Sequence, residues 1–202
     1  GLAPDGGLLV PNYMPTFPEY EIEELKNLNY NERAVRIFKS FGTDFELNKI
    51  KSLVNQAYSD NFDTSQIAPL KELKPQQHLL ELWHGPTSAF KDMALQFKPL
   101  CFEESIRIEN NERAKQGKAP KNYLILAATS GDTGKAALEG YKDKAQVKIA
   151  VFYPQNGVSE VQRKQMQTQT GNNVEVYGID GNFDDAQSAV KHMFSDTAFN
   201  EE

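Results

Sequence analysis

Tyr123-Leu124-Ile125-Leu126-Ala127-Ala128 runs directly into Thr129-Ser130-Gly131-Asp132-Thr133-Gly134. Six apolar residues without alternation predict a strand buried on both faces. The hydroxyl- and glycine-rich segment after it predicts a tight loop. A helix is then expected over Thr133–Lys144. The rhythm repeats downstream. Val147–Tyr153 is a second apolar strand ended by Pro154, and Ser159–Thr170 a second helix stopped by Gly171. Val174–Ile179 is a third strand and Phe183–Asp196 a third helix. Strands alternating with helices of about a dozen residues predict right-handed βαβ units on a parallel sheet. Ligands of such sheets sit beyond the C-terminal strand ends, where the Thr129–Gly134 loop lies.

That loop has two readings. Free N–H groups at a helix start, glycines that allow close approach and three hydroxyls make a cradle for an anion. Equally, Asp132 or Thr133 can simply cap the helix. A phosphate-binding P-loop is excluded. Thr129 stands where G-x-x-x-x-G-K-[ST] needs its first glycine, and Ala136 stands where it needs a magnesium-binding hydroxyl. The dinucleotide pattern G-x-G-x-x-G is absent as well.

Upstream, Leu82-Trp83-His84-Gly85-Pro86-Thr87-Ser88-Ala89-Phe90-Lys91-Asp92 places a lysine at a helix start behind a Gly-Pro turn. Most lysines are solvated surface charges. Lys91 has apolar neighbours, namely Trp83, Ala89, Phe90, Met93, Ala94 and Leu95. An amine in apolar surroundings is more readily deprotonated and condenses with a carbonyl. Asp92 can cap the helix or pair with a cation. His84 can serve as a turn, packing or substrate-contact residue. One long helix is expected from Ala89 to about Lys115, with Pro99 as a point of kinking or splitting. Residues 77–82 form a strand candidate.

The first 75 residues carry turn signals at Ala3-Pro4-Asp5-Gly6-Gly7 and then helical patterns. Asn31 is the expected cap of one helix, with Ala34, Val35, Ile37, Phe38 and Phe41 at helical spacing. Glu46–Ala57 is a second, with Leu47, Ile50, Leu53, Val54 and Ala57 on one face. The expected organisation is a helical domain over 1–76 and an α/β domain over 77–202.

Composition narrows the function. With 39% hydrophobic and 25% charged residues the chain has the balance of a globular protein. A net charge of −6 without clustered Lys and Arg argues against nucleic-acid and anionic-membrane partners. No run reaches the ~18 apolar residues of a membrane span. The lone Cys101 forms no intrachain disulfide or cysteine zinc site, which suits a reducing, cytoplasmic compartment. His78, His84 and His192 lack metal-ligand spacing, and no nucleophile elbow is present, so no metal site is expected.

Four segments together resemble the threonine synthase family, pyridoxal 5'-phosphate enzymes of the tryptophan synthase β-like (fold type II) class. They are Gly1–Pro11, Leu82–Asp92, Thr129–Gly134 and Tyr177–Asp184, in the family's order. Asp132 stands where other fold type II enzymes usually carry Asn, as it does in the longer-chain threonine synthases. The resemblance implies a three-layer αβα fold with a parallel sheet behind the helical N-terminal domain. It implies that Lys91 holds the cofactor covalently and moves protons at the α and β carbons. Asp132 would lie near the cofactor's phenolic oxygen, and Thr129, Ser130, Gly131, Asp132 and Thr133 would hold the carboxylate of O-phosphohomoserine. Phosphate would leave and water add, giving threonine. The family's cup for the cofactor phosphate is expected beyond Glu202, so the chain is expected to be a fragment, inactive by itself. Two other readings are a different fold type II lyase, acting on an O-substituted serine or a phospho-amine, and a silent scaffold.

Overall fold

The computed structural model describes residues 7–196. The turn signals of Ala3–Gly6 lie outside the described residues. The chain divides into two compact units, Gly1–Tyr58 and Ser59–Glu202. The sequence reading places its domain line at 76/77 instead. Among the described residues no helix is long and apolar enough to cross a membrane.

Among its described residues the first unit holds three helices, α1 (Glu19–Lys26), α2 (Tyr30–Ser40) and α3 (Leu47–Ala57). The cap of α2 is Asn29, not the expected Asn31. The Asn29 side chain accepts from the Glu32 N–H at 3.0 Å, and the Asn29 N–H donates to Glu32 Oε2 at 2.8 Å. This reciprocal box satisfies two orphan donors at once, which Asn31 inside the first turn cannot do. Asn31 instead donates to Asn55 Oδ1 and to the Tyr58 carbonyl, both at 3.0 Å. α2 packs on α3. The buried residues of α3 are Ile50, Leu53, Val54 and Ala57, four of the five on the expected apolar face.

The second unit opens with an antiparallel hairpin, β1 (Leu70–Lys74) and β2 (Gln77–Leu80). The sequence pattern predicts only β2. Leu-Lys-Glu-Leu-Lys in β1 lacks a period-2 pattern, and its pairing comes from the turn at Gln76, where φ is 64°. Two helices follow, α4 (Asp92–Leu95) and α5 (Lys98–Lys115). The expected continuous helix is therefore split at Gln96-Phe97. Pro99 occupies the first turn of α5, where its missing N–H costs nothing, and it cannot continue α4.

The rest is β3 (Tyr123–Ala128), α6 (Asp132–Tyr141), β4 (Val147–Pro154), α7 (Glu160–Gln167), β5 (Val174–Ile179) and α8 (Phe183–Ser195). The three strands form a parallel sheet in the order β3-β4-β5, with Tyr123 opposite Val147 and Ile149 opposite Val174. Alternation along the strands separates two faces. Val147, Ile149, Val151 and Tyr153 join Ile106, Ala137, Leu138, Tyr141 and Met166 in the main core, against α5, α6 and α7. α8 covers β3 and β4 and buries Ala186 and Val190. The three-layer α/β architecture follows. β4 is central and mostly buried, as its apolar run Ile149–Tyr153 requires, with Lys148 its one exposed residue.

Candidate active site

Lys91 stands at the N-cap of α4, at the end of a turn held by its neighbour. Asp92 is 0 % exposed. Its Oδ2 accepts from the Thr87 N–H at 2.8 Å and its Oδ1 from the Thr87 hydroxyl at 2.7 Å. The Asp92 N–H donates to the Ala89 carbonyl at 2.9 Å. Gly85 is required here. A Cβ at that position would stand 2.6 Å from both Asp92 Cβ and Oδ2. Burial pushes the Asp92 carboxyl above its ordinary value, and the bonds from Thr87 oppose that rise. Of the roles open to Asp92, neither a cation pair nor a helix cap is realised among the described residues. It ties the Gly-Pro turn to the start of α4.

His84 closes the other end of the turn. Its Nδ1 lies 2.5 Å from Asp63 Oδ1 and its Nε2 2.8 Å from Glu81 Oε2. Chiefly the bond to Glu81 raises the His84 pKa, and Asp63 adds to the rise. The imidazolium is thus favoured, and His84 acts as an ion-paired anchor.

Lys91 is half-buried, with Nζ 4.8 Å from the centre of the Phe90 ring. Among the described residues it forms no ion pair. The apolar enclosure expected around it is only partial. Ala89 is buried, but Trp83 is 46 % and Phe90 54 % exposed. Phe90, in the turn before α4, and Ala94, within it, both face outward, whatever their closeness in sequence. The α4 helix packs on α6, whose first turn carries the loop. Gly140 permits that approach, since a Cβ there would collide with the Leu95 carbonyl.

Inside the loop Thr129 is buried, and its hydroxyl oxygen accepts from the Gly131 N–H at 3.0 Å and the Gly134 N–H at 2.9 Å. The Thr129 N–H donates to the Phe152 carbonyl, which fastens the loop to β4. Ser130, Asp132 and Thr133 are exposed. Among the described residues their backbone N–H groups have no protein acceptor. Gly131 takes φ 150°, a region that favours glycine. Gly134 is buried, and a Cβ on it would strike the Thr129 side chain. The loop is thus pinned from within by Thr129 and presents unfilled donors outward, as an anion cradle must.

Three contributors escape the sequence reading. Asp63 and Glu81 flank His84 through folding alone. Gln162, on α7, donates through Nε2 to Asp132 Oδ1 at 2.7 Å. The Ser159-x-x-Gln162 capping box is legible in the sequence, but nothing local points from it to Asp132.

Residues 1–58 match the family model described as threonine synthase N terminus. The chain is 42% identical over 205 residues to a threonine synthase of Pseudomonas aeruginosa, which covers 98% of this chain and 40% of that protein. A solved threonine synthase from yeast superposes with a TM-score of 0.89 at 33% identity, covering 99% of this chain and 40% of the other. A threonine synthase from Brucella melitensis, described as bound to PLP, gives a TM-score of 0.85 at 36% identity, covering 100% and 41%. The chain spans about two fifths of the length of the relatives it matches.

Proposed function

We propose that this chain, which corresponds over nearly its whole length to the N-terminal part of threonine synthases, carries the cofactor lysine and the substrate-carboxylate loop of such an enzyme. The reaction is conversion of O-phosphohomoserine and water to threonine and phosphate, with pyridoxal 5'-phosphate as cofactor. The activity is that of a protein of its relatives' full length, of which this chain spans about two fifths.

The residues present fit such a cofactor. Lys91 offers an amine that is half-buried, free of ion pairs among the described residues and set on a rigid turn. The cofactor, when bound, supplies the electron sink that side chains lack. Lys91 anchors it, and the same amine carries protons at the α and β carbons of the substrate. The N–H groups of Ser130, Asp132 and Thr133 and the exposed hydroxyls of Ser130 and Thr133 bind the substrate carboxylate. Thr129 and Gly131 shape that cradle from behind. By the family resemblance Asp132 would lie near the cofactor's phenolic oxygen; its observed partner is Gln162.

The observation that carries the reading is the set of unfilled donors at the start of α6, on the helix that packs against the lysine helix. Borohydride reduction of the cofactor-loaded enzyme, followed by peptide mapping, tests it. Label on Lys91, with turnover of O-phosphohomoserine, is the expected result. Label on another lysine sinks the assignment, and turnover of an O-substituted serine instead points to a different lyase on the same fold.

A further inference from the structure

We propose that Gln162 is a positioning residue of the substrate loop, holding the Asp132 carboxylate toward α7. This rests on the reading that the loop receives a carboxylate. Gln162 occupies the third position of α7, a helix that contributes none of the loop's own residues. Its Oε1 accepts from the Ser159 N–H at 3.3 Å and from the Ser159 hydroxyl at 3.1 Å. With the oxygen engaged, the amide nitrogen is aimed the other way and donates to Asp132 Oδ1 at 2.7 Å. The same amide covers Gly131. A Cβ on Gly131 would lie 2.5 Å from Gln162 Cδ and Nε2.

The electrostatics give this contact a purpose. Asp132 is the one acid of the loop, and its charge opposes an incoming carboxylate bound to the neighbouring N–H groups. A donor on α7 draws that charge aside and stabilises it. The loop then presents its N–H groups without competition from its own carboxylate. Residue 162 therefore controls carboxylate affinity from a second helix.

Gln162→Glu separates this role from helix capping, because Ser-x-x-Glu is itself a capping box and keeps α7 closed. In the cofactor-loaded enzyme at about pH 8 the introduced carboxylate repels Asp132. The KM for O-phosphohomoserine and the calorimetric Kd for L-threonine should both rise roughly tenfold, the scale of one lost charge-assisted bond. The kcat should change less than about twofold. As pH falls and the introduced carboxyl takes up a proton, it becomes a donor again. The ratio of variant to native Kd should then return toward one. The Tm should track the native protein throughout. Gln162→Met, with similar bulk but no donor, should raise both constants at every pH. Native-like constants for Gln162→Glu at all pH values overturn the proposal. So does a pH-independent loss of kcat accompanied by a lower Tm, which marks a purely structural residue. If Lys91 takes the borohydride label while these results appear, only the role of Gln162 falls. If Lys91 takes no label, the functional reading beneath it falls first.

Discussion

At the scale of single residues, the chemistry depends on neighbours as much as on Lys91. On the proposed function, Lys91→Ala would remove both the covalent anchor and the proton carrier, so turnover of the loaded enzyme should fall by several orders of magnitude. Lys91→Arg should fail equally, since a guanidinium stays protonated and forms no bond to a carbonyl. Single-turnover assays check both. Thr133→Val removes an exposed hydroxyl without touching the internal pins made by Thr129, so it should raise KM for O-phosphohomoserine and leave cofactor affinity nearly unchanged. An unmoved KM would remove Thr133 from the carboxylate site. His84 gives a pH signature. Its folded pKa lies above the ordinary value of 6.5, so its stabilisation is full below that value and is lost as pH rises through the folded pKa. Native protein should therefore weaken in chemical denaturation as pH rises above the ordinary histidine value of about 6.5, and His84→Gln should flatten that slope.

At the scale of elements, α6 carries the loop at one end and receives α4 at the other. Gly→Ala in a helix interior ordinarily stabilises by about 0.5–1 kcal/mol. At Gly140 the added methyl would meet the backbone of Leu95 and stand 3.0 Å from Pro99 Cγ. Gly140→Ala should therefore reverse the usual sign and destabilise by about 1–3 kcal/mol, measured by urea unfolding. A stabilised variant would mean that α4 and α6 separate freely, and the placement of Lys91 would then lose its support. The split between α4 and α5 belongs to the same scale. Pro99 marks in the sequence that the helix must break. Where Lys91 then stands depends on Asp92 folding back onto Thr87.

At the scale of the whole molecule, the main apolar cluster is drawn from residues 106–166, inside the unit that begins at Ser59. A chain starting at Ser59 should retain a cooperative thermal transition with α/β circular dichroism, and a gradual, non-cooperative melt would contradict the division. The sequence by itself determined the βαβαβα order, the parallel sheet, the loop at the end of β3 and the choice of Lys91 as the candidate amine. Those features follow from local period, chain direction, the motif around the lysine and the rule that sheet crossovers are right-handed. It left Asp92 and His84 open, drew too much apolar cover around Lys91, and passed over Gln162 altogether. Each of these turns on a partner that chain neighbours do not reveal. Asp92 meets Thr87 through a turn closed by a glycine with no room for a side chain, His84 meets Asp63 across a fold of 21 residues, and Gln162 meets Asp132 from 30 residues away. Periodicity states which face of an element is buried. Only packing in three dimensions decides which polar group reaches which, because hydrogen bonds are satisfied by proximity in space and not along the chain.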